Sequence, residues 1–137
     1  NVIDYDIIRE RIREDAEIYD MREIGFDRWG ATQIVTQLQG DGATVVPIGQ
    51  GYVSLSAPSK ELEKLVLARR IRLGTNPVMR WMFSNVTVEM DPAGNIKPSK
   101  RKSVEKIDGV VALVMALDRA LRNTGPSIYE GRGILVL

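Results

Sequence analysis

"REIGFDRWGATQIVTQLQGDGATVVPIG", residues 22–49, decides the fold class. Its opening, "REIGFD" (22–27), reads as a short strand that ends on an aspartate. "ATQIVTQLQG" (31–40) then places Ala31, Ile34, Val35 and Leu38 at helical spacing and stops on Gly40. "TVVPIG" (44–49) reads as a second strand. Strand, helix and strand at this length imply a parallel pair joined by a right-handed crossover, and so an α/β fold. In such sheets ligands gather beyond the carboxyl ends of the strands, which is where Asp27 is delivered. A turn-forming or helix-capping aspartate before "RWGA" explains the same residue equally simply.

Outward from this unit, "YDIIRERIREDAEIYD" (5–20) aligns Tyr5, Ile8, Ile12, Ala16 and Tyr19 on one stripe, with Arg13 and Glu17 spaced for an i,i+4 pair. Downstream, "SAPSKELEKLVLARR" (56–70) reads as a helix entered through Pro58, with Leu62, Leu65 and Val66 inward. "NPVMRWMFS" (76–84) pairs a capping Asn76 with Pro77 at the first helical position, where the missing proline N–H is no loss. "NVTVEM" (85–90) alternates Val86, Val88 and Met90 against Thr87 and Glu89. The turn "DPAGN" and the return arm "NIKPSK" (95–100) complete a hairpin. Ser103 is positioned to cap a long final helix, 104–122.

That helix poses a question of charge. Ile107, Val110, Val111, Leu113, Val114, Met115 and Leu117 cover nearly its whole circumference, which predicts burial on more than one side. Asp108 stands about one turn in, where the helix dipole favours an anion, and Gly109 beside it signals a close approach. Either Asp108 faces solvent at the helix end, or it serves a site. Asp118 cannot join it, because ten residues along a helix is about 15 Å.

Composition narrows the chemistry. At 137 residues, 44% hydrophobic and 27% charged, the chain has the size and make-up of one globular domain, with no apolar run near the length of a membrane span. It has no cysteine and no histidine, so thiolate and imidazole ligands and the commonest general base are excluded. Any metal must be held by oxygens, which favours magnesium, manganese or calcium. The net charge of +1 conceals a segregation: residues 1–27 carry nine acidic groups against four basic, and residues 69–106 carry nine basic against three acidic. A basic block of that size either attracts a polyanion or forms a solvated face.

"FDRWGA" (26–31), "NPVMRWMFSNVTV" (76–88), "GNIKPSKRKSVEKIDGVVALVMALDRA" (94–120) and "SIYEGRG" (127–133) together resemble the nuclease half of tailed-bacteriophage terminase large subunits. These motifs run through nearly the whole chain. The chain has no G-x-x-x-x-G-K-[ST] phosphate loop, in keeping with the absence of the ATPase motor domain from residues 1–137. The resemblance implies one partial domain of ribonuclease-H-like fold, a mixed sheet flanked by helices that lacks its first strands and carries an added β-hairpin. Such an exposed sheet edge invites a homodimer.

The resemblance also implies the site. The family's acids in "FDRWGA" and "KIDG" correspond to Asp27 and Asp108, as catalytic and metal-holding residues for Mg2+ or Mn2+, two ions in a complete domain. The family's first acid falls upstream of Asn1, and Asp4 and Asp6 look like caps rather than substitutes. Where relatives often place a histidine before "NP", this chain has Leu73 and Gly74. Lys97, Lys100, Arg101, Lys102 and Lys106 are positioned to grip the phosphates of double-stranded DNA, insensitively to sequence and weakened by salt. Trp29 and Trp81 are expected to be core anchors. The implied activity is endonucleolytic cutting of concatemeric viral DNA in the bacterial cytoplasm, with a portal protein and small terminase subunit as partners and no membrane. The alternative is a non-catalytic module that docks on DNA or portal.

Overall fold

Strand β1 (Ile24–Asp27) and strand β2 (Val45–Ile48) lie parallel, in the register Ile24 to Val45 through Asp27 to Ile48. This is a computed structural model, and it describes residues 4–123. The 127–133 motif lies outside the described residues. Helix α2 (Thr32–Gly40) makes the crossover, and its Leu38 is buried. The return to β2 passes through Gly42 at φ +86°, a left-handed conformation that glycine adopts without steric cost.

The core forms where helix α3 (Tyr52–Leu67) packs on helix α5 (Asp108–Arg122). Ile48, Leu55, Leu62, Ile107, Val110, Val111, Val114 and Met115 make one buried cluster. Each of its large aliphatic side chains contributes about 1.5–3 kcal/mol by leaving water. Helix α4 (Pro77–Asn85) lies against α5 and begins at the predicted cap: the Asn76 carboxamide oxygen accepts from the N–H groups of Val78 at 2.9 Å and Met79 at 3.2 Å. Strands β3 (Val88–Met90) and β4 (Ile96–Pro98) form the antiparallel hairpin as a separate two-stranded sheet. Its turn is closed by the Asp91 carboxylate, which accepts from the Asn95 backbone and side-chain N–H groups, both at 2.8 Å. Ser56 on α3 accepts from the Ile96 N–H, which fastens the hairpin to the core. Helix α1 (Tyr5–Ile18) rests on α2 and buries none of its residues fully.

The structure revises several expectations. Helix α3 starts at Tyr52, because Ser54 and Leu55 N–H groups already bond to the Gly51 carbonyl; Pro58 is therefore inside the helix and buried. On α3, Leu62 is buried while Val66 is exposed. The last helix starts at Asp108 rather than 104, so Asp108 is its first residue. Ser103 does not cap it; its hydroxyl donates to the Ser99 carbonyl and accepts from the Thr87 N–H. Arg13 pairs with Glu10, one turn back, in place of Glu17. Trp29 is 88% exposed and Trp81 44%, so neither anchors the core. Trp81 falls outside the face of α4 that carries half-buried Met79, Met82 and Phe83 at helical spacing. Trp29 is carried outward by the turn that Asp27 starts, with Gly30 at φ +73°.

Candidate functional site

The carboxyl end of β1 delivers Asp27, half-buried, to the edge of the parallel pair. Its Oδ1 accepts from the Trp29 N–H at 3.3 Å, so the turn-forming role is present. The same side chain lines a cavity of about 450 Å³ with Gln50, Glu89, Lys97, Lys100 and Arg101. A carboxylate at a sheet's carboxyl edge is thereby set opposite a basic wall. That wall is supplied by β4 and the turn after it, the segment between the hairpin and α5.

Asp108 lines an adjoining cavity of about 340 Å³ with Lys100, Lys106 and Ser103. Its Oδ1 stands 2.5 Å from the Lys100 Nζ, and both side chains are well exposed. That hydrogen bond to Lys100, outweighing partial burial, holds the Asp108 carboxyl below its ordinary range, with Lys106 adding to the effect. Lys100 is thus common to the Asp27 and Asp108 cavities. Gly109 earns its place beside Asp108: a Cβ there would stand 2.8 Å from the Met82 sulfur and 3.0 Å from that of Met79. The close approach expected at this glycine is that of α4.

The five basic residues named from sequence are not equivalent. Lys97 turns inward: its Nζ lies 3.3 Å from Glu89 Oε1, donates to the Gln50 carbonyl at 3.3 Å, and sits 5.1 Å from the centre of the Tyr52 ring. Lys102 Nζ lies 3.8 Å from Glu89. Arg101 and Lys106 are exposed and enter no ion pair among the described residues.

Sequence reasoning missed Glu89. Its side chain is 15% exposed and accepts from the Ser99 hydroxyl at 3.0 Å. Hydrogen bonds from Ser99 and then Lys97, reinforced by the charges of Lys97 and Lys102, lower its pKa against the opposing effect of burial. Alternation in "NVTVEM" gave the available signal, but alternation alone does not say which of the two faces is covered. Val88 and Met90 are 52% and 67% exposed, while Glu89 is the covered residue between them.

For a divalent cation the donors are right in kind, since Asp27 and Asp108 offer only hard oxygens. In number they are few: among the described residues no three acidic, histidine or cysteine side chains converge as a metal cluster. Asp27 and Asp108 line separate cavities that have Lys100 in common. For a polyanion, Lys100 and Arg101 present charge in the Asp27 cavity, and Lys100 and Lys106 in the Asp108 cavity. No helix among the described residues is long and apolar enough to cross a membrane.

A family model described as the endonuclease domain of the terminase large subunit matches residues 1–124. Protein YmfN of Escherichia coli (strain K12) is 36% identical over 121 residues, which are 87% of this chain and 27% of that protein. The terminase large subunit of Enterobacteria phage HK97 is 33% identical over 120 residues, 86% of this chain and 24% of that one. The crystal structure of the HK97 bacteriophage large terminase matches with a TM-score of 0.77 at 33% identity, over 85% of this chain and 25% of that chain.

Proposed function

The chain belongs to the family of terminase large subunit endonuclease domains, and from that premise we propose that it is the part of a divalent-metal-dependent endonuclease that cuts concatemeric viral DNA during packaging. The observation that carries this reading is the sharing of Lys100 by the Asp27 and Asp108 cavities, which flanks one basic turn with two carboxylates. The chain spans only about a quarter of the relatives' length, so the packaging cycle and its partners belong to the proposal as well. Those partners are double-stranded DNA, a portal protein and a small terminase subunit, in the cytoplasm of a bacterial host. We assign the parallel pair and its helices to a ribonuclease-H-like domain whose preceding strands extend the sheet at its edge, where a homodimer is the other way of pairing.

Asp27 and Asp108 are the residues to hold Mg2+ or Mn2+. When bound, such an ion neutralises phosphate charge and activates water. The chain's own contribution is electrostatic and positional. Lys100, Arg101 and Lys106 hold backbone phosphates next to the carboxylates, with Lys97 and Lys102 behind them. Contacts of this kind are insensitive to base sequence and weaken with salt, by a slope near −0.9 per phosphate neutralised. Two-ion hydrolysis needs more fixed oxygens than two carboxylates give, and the resemblance puts a further acid on a preceding strand.

The experiment compares the 137-residue chain with a longer chain that includes the relatives' preceding segment, on supercoiled plasmid with Mn2+. The longer chain is expected to nick and linearise the plasmid, its Asp108→Asn variant to be inactive, and the shorter chain to be much slower. Cutting that is indifferent to Asp108→Asn refutes the assignment. A second reading, a non-catalytic docking module, is favoured by the lack of a three-acid cluster among the described residues. It predicts DNA binding with no cleavage by either chain.

A further inference from the structure

An acidic side chain stands in the middle of the basic wall, ion-paired with Lys97 and Lys102. Glu89 lines the Asp27 cavity together with Lys97, Lys100 and Arg101, so as a mere charge it opposes any phosphate that approaches them. Its contacts give it another role. Glu89 is the direct cross-strand partner of Lys97, which ties β3 to β4 through side chains as well as backbone. Its Oε2 accepts from the Ser99 hydroxyl and faces Lys102. Ser99, itself buried, accepts from the Lys102 N–H through its hydroxyl at 3.3 Å and from the Ser103 N–H through its carbonyl at 3.0 Å. The Lys97 ammonium also reaches the Gln50 carbonyl, just beyond the carboxyl end of β2. One carboxylate therefore joins the hairpin, the turn at 99–103 and, through Lys97, the sheet edge that bears Asp27.

We propose that Glu89 is a positioning residue for the DNA backbone: it fixes the 99–102 turn so that Lys100 and Arg101 face the Asp27 cavity and can each meet a phosphate. The inference rests on the DNA-binding reading above and adds to it a residue that touches no DNA. It has a counter-intuitive sign. Removing the negative charge makes the chain more basic, and yet it weakens DNA binding, because two phosphate contacts lose their fixed geometry.

The test measures binding of a short duplex of random sequence by the 137-residue chain across a salt series, without divalent metal. Each phosphate contact contributes a slope of about −0.9 and so about eightfold in affinity at 0.1 M relative to 1 M salt. Glu89→Gln, which keeps the shape, is expected to reduce the slope by about 0.9 to 1.8 and to weaken binding at 0.1 M by at least about eightfold. Glu89→Asp should restore part of both. Ser99→Ala cuts one tie without altering net charge, and should move slope and affinity in the same direction by less; it also carries the test if Glu89→Gln does not fold. Tighter binding by Glu89→Gln, or unchanged slopes in both variants, overturns the positioning role while leaving DNA binding standing. Failure of the unaltered chain to bind the duplex at low salt overturns the DNA reading itself, and the inference with it.

Discussion

Replacing Asn76 by alanine isolates one element of this fold with little else disturbed. The first turn of α4 has four N–H positions to satisfy. Proline at 77 has none to offer, the Val78 and Met79 groups are taken by the Asn76 side chain, and the Arg80 N–H bonds to the Asn76 carbonyl at 3.1 Å. The N–H groups of residues 78–80 are thus all held by Asn76. Alanine leaves two donors to water, which reaches them because residues 76–78 are exposed. The loss should therefore sit in the middle of the range for cap removal, about 1 kcal/mol. With a urea slope near 2 kcal/mol per molar, that moves the unfolding midpoint down by about 0.5 M. Glycine at 76 should cost only a few tenths of a kcal/mol, and aspartate should match or exceed asparagine, since it caps equally well and suits the positive end of the helix. The assay is urea unfolding followed by far-ultraviolet dichroism on all four proteins. A midpoint for Asn76→Ala within about 0.1 M of the parent, or a glycine variant less stable than alanine, would refute the capping argument.

Leu55, 2% exposed, is part of the core and also lines the Asp27 cavity, so Leu55→Ala should lose about 2–5 kcal/mol in the same assay. A loss below about 1 kcal/mol would mean that α3 is not seated on α5 as described. Stability should also fall on acidification because of Glu23, whose pKa is lowered chiefly by its hydrogen bond from Arg119 at 2.5 Å, with a further bond from Asn123, against the opposing effect of burial. A depressed folded pKa stabilises the protein above the unfolded value near 4.5, and that contribution disappears as pH drops through the folded value. Glu23→Gln should therefore be less stable than the parent at pH 7, with the difference shrinking below pH 4 in thermal melts; a difference independent of pH would contradict it.

What could be read from sequence was whatever local periodicity controls. The β1–α2–β2 unit was legible because Ile34, Val35 and Leu38 keep helical spacing between two apolar strands, and Asn76-Pro77 announced α4 outright. Pro58 misled because its usual place is a helix start, whereas Gly51 had already supplied one seven residues earlier. Ser103 misled for a related reason: its hydroxyl is a good cap in isolation, but tertiary structure uses it to join Thr87 to Ser99. Asp27 was found as a residue at the sheet's carboxyl edge, and Asp108 as a carboxylate at the front of an apolar helix. Glu89 was not, since its value lies in partners eight to thirteen residues away across a hairpin, and no periodicity along the chain records which face of that hairpin is covered. The inward turn of Lys97 was hidden for the same reason: Gln50 and Tyr52, which hold it, are distant in sequence.

The assignment of Asp27 and Asp108 to one metal-dependent site is tested most directly by titrating manganese into the 137-residue chain and following the free ion by electron paramagnetic resonance. The parent protein is expected to bind one Mn2+ weakly, with Asp27→Asn and Asp108→Asn each reducing the affinity by tenfold or more, about 1.4 kcal/mol. If manganese binds equally well to the parent and to both variants, the carboxylates do not share an ion, and the nuclease site has been placed on the wrong residues.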